Sequence, residues 1–134
     1  IANGKNESPL KKMLNSKIFT HFIPKISSLD ARKKWIISSL SSSGKIYIDS
    51  GAAYALKNGK SLLAAGIVQV KGDFEKGENI LILDQDEKQL ARGLTSFNSK
   101  EITKIKGKQS RETEKILGYY SKSEIVHKDD MVKL

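Results

Sequence analysis

Gly59-Lys60-Ser61 is the stretch whose residue types could grip a nucleotide phosphate, because Gly-Lys-Ser ends the loop that cradles phosphates with backbone amides and a lysine. That loop needs a glycine five residues before Gly59, and Tyr54 stands there. It also needs a strand before it and a helix after it, so that amides at a helix N-terminus face the phosphate. Here the order is reversed. "SGAAYALKNG" reads as a helix that Asn58-Gly59 ends, and "AGIVQVKGDF" reads as the strand that follows. The turn is therefore a helix stop with Lys60 and Ser61 exposed beside it, able to touch a backbone phosphate only as a surface contact.

Other reactive constellations are as thin. With no Cys there are no disulfides, thiolate metal sites or cysteine nucleophiles. The two histidines, His21 and His127, lie far apart, and His127 follows Ile125-Val126 as a hydrogen-bonded structural histidine does. Asp129-Asp130 lacks the further ligands of a metal site and suits turn or capping chemistry. Asp49, before Ser50-Gly51, reads as a turn or cap acid. Nothing assembles an acid, a base and a charge stabiliser, so no catalytic, cofactor-binding or metal-binding residue is assigned.

Binding is the remaining class. Lys57, Lys60, Lys71 and Arg92 are expected to share a face around the helix at 50–57 and the strand after it, with Tyr54 placed to stack a base. RNA is the partner such a face would suit, and a scattered, solvated surface is the competing reading. The formal charge of +9 is concentrated at one end: residues 1–45 hold 9 Lys/Arg against 2 acids, and residues 46–134 hold 15 against 13. The basic excess sits in Lys11-Lys12 and Arg32-Lys33-Lys34, and the remainder has interleaved signs. Apolar runs are short and broken by charge, so none spans a bilayer. The chain begins at Ile1 with no Met and no signal-like segment, which predicts a piece of a longer cytoplasmic protein.

The elements that must position these groups follow from periodicity. Leu10, Met13 and Leu14 predict a short helix after Pro9, and "KIFTHFIP" predicts an edge strand or hairpin closed by Pro24. Ser28 is expected to cap a linker helix with Leu29, Ile36 and Leu40 in apolar positions, before Ser41-Ser42-Ser43-Gly44 breaks it. A domain boundary is placed near 40–45. Beyond it come one strand, a helix capped by Ser50, three strands, two short helices near 99–104 and 110–117, and a last strand. Asn98 or Ser99 is expected to cap the first of those two helices and Ser110 the second. Gly93 marks a bulge or a close approach. Ile46, Ile48, Leu56, Ile67, Val70, Ile80, Ile82, Leu94, Ile116 and Val126 are the expected core. This is a mainly β fold with short helices, a small barrel with helical plugs.

Residues 45–134 resemble a PUA domain, on "IYIDSGAAYALKNGKSLLAAGIVQVKGDFEKGE" and "ARGLTSF". The whole chain is similar to the C-terminal part of the glutamate 5-kinase family, through "IANG", "ARKKWI", "EKILGY" and "VHKDDMV" in the family's order. The resemblance implies a PUA-like β-pseudobarrel at 45–134, a linker with its helix at 26–44, and at 1–25 the remnant of an α/β amino-acid-kinase domain. It implies a parent enzyme of proline biosynthesis that phosphorylates the glutamate side chain with ATP and Mg2+. The parent's catalytic parts lie upstream, so the chain itself holds no cofactor and performs no turnover. The implied partners are the upstream kinase domain and its oligomer. The implied role is regulatory or architectural, with RNA binding through Lys57, Lys60 and Arg92 as the alternative.

Overall fold

The runs "GKIYI" and "NILIL" form the middle of the sheet, where β-branched and apolar side chains fill both faces. A computed structural model describes residues 1, 3–5, 7–16, 19–38, 42–119 and 122–134. In chain order its elements are α1 (Pro9–Ser16), α2 (Ser28–Ser38), β1 (Gly44–Ile48), α3 (Ser50–Lys57), β2 (Leu62–Leu63), a 3-10 turn (Ala64–Gly66), β3 (Ile67–Lys71), β4 (Asn79–Leu83), β5 (Gln89–Leu94), α4 (Ser99–Ile105), α5 (Ser110–Leu117), β6 (Glu124–Val126), a second 3-10 turn (Lys128–Asp130) and β7 (Met131–Lys133).

A five-stranded mixed sheet runs in the order β3-β1-β4-β5-β7, and β2 pairs with β6 in a separate two-stranded sheet. β1 and β4 are parallel, with Ile46 beside Ile82, and the other pairings are antiparallel. Every residue of β4 is buried. Ile80 and Ile82 join Ile46, Ile48, Leu56, Leu62, Phe74, Phe97, Ile102, Ile105 and Val126 in the main core. Tyr47, Leu81 and Leu83 form a smaller cluster on the opposite face. The expected mainly β fold with short helices is thus the fold observed.

Three caps sit one residue before the serines expected. Asp49 Oδ1 accepts from the Ala52 amide at 2.7 Å, so Asp49, and not Ser50, caps α3. Ser27 Oγ, not Ser28, accepts from the Asp30 amide at 3.1 Å. Gln109 precedes α5 and gives its amide to the Glu112 carboxylate at 3.1 Å, in place of a Ser110 cap. A cap residue keeps extended backbone, and Asp49 with φ −78° and ψ 173° does so. Asn98 caps α4 as expected, in a reciprocal pair with Glu101.

The core expectations need three corrections. Ile116 is 40% exposed, because α5 turns Thr113 and Leu117, one helical turn apart, toward the core. Leu94 is half-buried because it pairs with Asn79 on the sheet face opposite Ile80. Val70 is half-buried on the edge strand β3. Residues 19–24 form no strand; Ile1 and Thr20 exchange two backbone hydrogen bonds, and no further pairing extends this contact among the described residues. Ile18, Leu40 and Ser41 lie outside the described residues. β2 is too short to show a period, and the last strand is two strands, β6 and β7, split by a 3-10 turn.

The expected linker helix is docked. Ile36 of α2 is fully buried, and Asn79 Nδ2 of β4 donates to its carbonyl at 2.9 Å. Arg32 Nε lies 2.8 Å from Asp130 Oδ1 beside β7. Leu29, by contrast, is exposed.

Gly93 is a close approach and not a bulge: a Cβ there would stand 2.5 Å from Val126 Cγ1 and 2.9 Å from the Asp130 carbonyl oxygen. One of those neighbours is backbone and gives little. Gly93→Ala is expected to cost about 1–3 kcal/mol in urea unfolding, as overpacking does; a wild-type midpoint would contradict the packing. A second prediction concerns α4 and α5. Tyr119 Oη donates to Glu101 Oε1 at 2.6 Å, and this bond, then burial and the carboxylate's charge, push the phenol from 10.0 up to about 12. The folded state therefore favours the protonated phenol. Its stabilisation is complete below pH 10 and is lost as pH rises through about 12. In an ultraviolet titration the Tyr119 phenol should ionise late, and Glu101→Gln should lower its midpoint. A Tyr119 midpoint unmoved by Glu101→Gln would contradict the bond.

Candidate functional site

The geometry around α3 settles what Gly59-Lys60-Ser61 does. Gly59, at φ +73°, gives its amide to the Leu56 carbonyl at 3.0 Å, and the Lys60 amide goes to the Ala55 carbonyl at 3.0 Å. Both amides that a phosphate would need are spent on closing the helix. Ser61 Oγ accepts from the Lys128 amide at 3.0 Å, tying the turn to the second 3-10 turn. Gly66 lets α3 lie against the first 3-10 turn, since a Cβ there would stand 2.4 Å from the Ala52 Cβ.

α3 presents two flanks. On one, Ala52, Ala55, Leu63 and Gly66 line an open, largely apolar cleft of about 590 Å³, with Asp49, Lys60 and Glu124 also bordering it. On the other, Tyr54 and Lys57 border a shallow pocket shared with Asp84 and Asp86 of the β4–β5 turn. Tyr54 is 72% exposed, and Lys57 and Lys60 are exposed. Among the described residues no carboxylate comes within 4.0 Å of either lysine.

Lys71 and Arg92 are elsewhere. Pairing puts Lys71, Lys45, Leu81, Arg92 and Val132 in one row across the sheet. Paired residues point to one face, and this row shares the face of Leu81, away from the main core. Lys71 Nζ stands 4.7 Å over the Tyr47 ring and donates to its hydroxyl at 3.3 Å, while that hydroxyl donates to Glu87 at 3.3 Å. Arg92 is half-buried with its Nε shielded from solvent. The five residues expected on one face thus fall into Tyr54, Lys57 and Lys60 on α3 and its stop, and Lys71 with Arg92 on the sheet. Lys71 joins the row because β3 pairs with the outer edge of β1, and Arg92 because β5 pairs with β4.

The remaining candidates have structural partners. His127 Nδ1 accepts from the Asp129 amide at 3.2 Å, so the ring caps the second 3-10 turn. Asp130 is held by Arg32. Among the described residues no group of three or more His, Asp or Glu could hold a metal ion. Sequence reasoning missed Leu63, Gly66 and Glu124 in the apolar cleft, because β2 and β6 are too short for any alternation to be read.

The sequence profile of the PUA domain matches residues 44–117, the span from β1 through α5. The chain belongs to the PUA domain family. Similarity extends beyond that span. Glutamate 5-kinase of Pelagibacter ubique (strain HTCC1062) is 58% identical over 134 residues, covering all of this chain and 36% of that protein. Glutamate 5-kinase of Thermoanaerobacter sp. (strain X514) is 44% identical, covering all of this chain and 37% of its own length. The chain thus spans little more than a third of the curated relatives it matches. A solved PUA domain from Aeropyrum pernix K1, in a tartrate complex, is 21% identical over 63% of this chain and 41% of that one, at a TM-score of 0.48. In this PUA domain α2 precedes the matched span yet packs on β5 and β7. No helix among the described residues is long and apolar enough to cross a membrane.

Proposed function

We propose that this PUA domain is the C-terminal accessory module of a cytoplasmic glutamate 5-kinase, the enzyme of proline biosynthesis that phosphorylates the glutamate side chain with ATP and Mg2+. The supporting observation is that similarity to glutamate 5-kinases runs through the whole chain, including residues 1–43 ahead of the PUA match. In this reading residues 1–25 close the upstream kinase domain, 26–44 link it, and 45–134 are the PUA domain. Leu10, Leu14, Phe22 and Ile23 are exposed, as expected of side chains whose cover is a kinase domain. The module's role is regulatory or architectural. Its docked α2 would transmit the position of the PUA body to the kinase domain and its oligomer.

RNA binding is the second reading, favoured by the exposure of Tyr54, Lys57 and Lys60. Asp84 and Asp86 beside Tyr54 and Lys57 oppose a phosphate backbone there. Lys71 and Arg92 would have to engage RNA from the separate sheet row.

One paired assay separates the readings. The 134-residue chain alone should form no γ-glutamyl phosphate from ATP and glutamate, and deleting residues 26–134 from the full-length enzyme should change its kinetics or its assembly. Product from the chain alone, or a deletion without effect, would contradict the accessory reading. On the RNA reading, filter binding of tRNA should fall steeply with salt. Lys57→Glu with Lys60→Glu should then flatten the log–log slope by roughly two units. Salt-steep binding abolished by that pair, with kinase activity unchanged, would favour RNA.

A further inference from the structure

A second cleft opens where α2 meets the end of the chain. It holds about 380 Å³ and is bordered by Lys33 of α2, Gly59 after α3, and Lys128, Asp129 and Lys133 around β7. Its apolar wall is Met131 and Val132. Three cations border this space, Lys33 from α2 and Lys128 and Lys133 from the two ends of the last segment. The one carboxylate bordering it, Asp129, offsets part of this positive charge, and among the described residues no acid comes within 4.0 Å of Lys33, Lys128 or Lys133. Lys33 is half-buried and has no ionic partner among the described residues, although its neighbour Arg32 takes Asp130.

The docking of α2 therefore places Lys33 at the same cleft as Lys128 and Lys133, and like charges gathered there repel. An anion entering the cleft would relieve that repulsion. Lys133 Nζ already donates to the Lys57 carbonyl at 2.6 Å, which fixes its position and leaves it further protons to donate. The Lys128 amide bond to Ser61 likewise anchors that residue's backbone.

We propose that this cleft binds a phosphate-bearing anion through Lys33, Lys128 and Lys133. Three point-charge donors match a multiply charged phosphoryl group better than a single carboxylate, which needs one partner. The volume suits a small phosphorylated molecule, and the cleft is also open enough to admit one stretch of a nucleic-acid backbone. The ligand would touch α2 and β7 together, so binding would strengthen the α2 docking. This inference does not depend on the kinase reading, because it concerns side chains of this chain alone.

Trp35, the single tryptophan, is on α2 and reports on that helix. The 134-residue chain is titrated with pyrophosphate and, separately, with a short single-stranded RNA, at constant ionic strength. Tryptophan fluorescence and calorimetry follow the binding. Saturable binding of either probe is expected, weakened roughly tenfold or more by Lys33→Gln with Lys128→Gln. Lys100→Gln with Lys104→Gln, an equal charge loss on α4, should leave it unchanged, and circular dichroism checks that both variants fold. Pyrophosphate binding identifies a small phosphorylated ligand, and RNA binding alone identifies a nucleic-acid backbone. No saturable binding of either probe, or equal losses in the two double variants, would overturn the proposal.

Discussion

The fold depends on one pairing, the parallel contact of β1 with β4 at the centre of the sheet. Parallel neighbours cannot be joined by a tight turn, so the chain between them must cross over. Residues 49–78 make that crossing. α3 leaves β1 under the Asp49 cap, β2 and the 3-10 turn bring the chain back, and β3 pairs on the far edge of β1. Gly66 sets how closely the crossover can pack, because it meets Ala52 with no room for a Cβ. The apolar cleft beside α3 is a by-product of that crossing.

The same pairing leaves β4 buried along its whole length, and α2 docks across the neighbouring β5 and β7 with one bond to β4. Asn79 begins β4 with a side chain turned away from the core, and its amide group binds the Ile36 carbonyl. A buried carbonyl without such a partner would cost about 1–3 kcal/mol. Arg32 and Asp130 add an ion pair at the other end of the contact, but Arg32 is half-exposed, so water screens that contribution. The segment before the PUA match is thus fastened to the sheet by burial and a buried hydrogen bond more than by charge.

How much of this was legible in the sequence depends on range. Local signals read well: "GKIYI", "NILIL", the stop at Asn58-Gly59 and the helices α3, α4 and α5 follow from periodicity and stop signals. The one-residue cap errors at Ser28, Ser50 and Ser110 have a common cause. A polar residue on each side of the boundary satisfies the same pattern, and only backbone angles choose between them. Ile116 misled because Thr113 takes an inward position that hydrophobicity does not announce. Long-range placement was not legible. Lys71 and Arg92 are brought into one row by pairings through Lys45 and Leu81, and Lys33 meets Lys128 and Lys133 across almost the whole chain. The docking of α2 was hidden for the same reason, since a Ser-rich break after a helix reads as a linker whether or not the helix packs.

The central claim is that α2 belongs to the body of the PUA domain although it precedes the family match, while α1 does not. Amide hydrogen exchange of the 134-residue chain, resolved by residue, tests this most directly. Amides of α2 around Ile36 should be protected to a degree approaching β1 and β4, because opening them requires breaking buried contacts. Amides of α1, whose Leu10 and Leu14 are exposed, should exchange fast. Exchange of α2 at the rate of α1 would show that the helix is a free linker and would contradict the account.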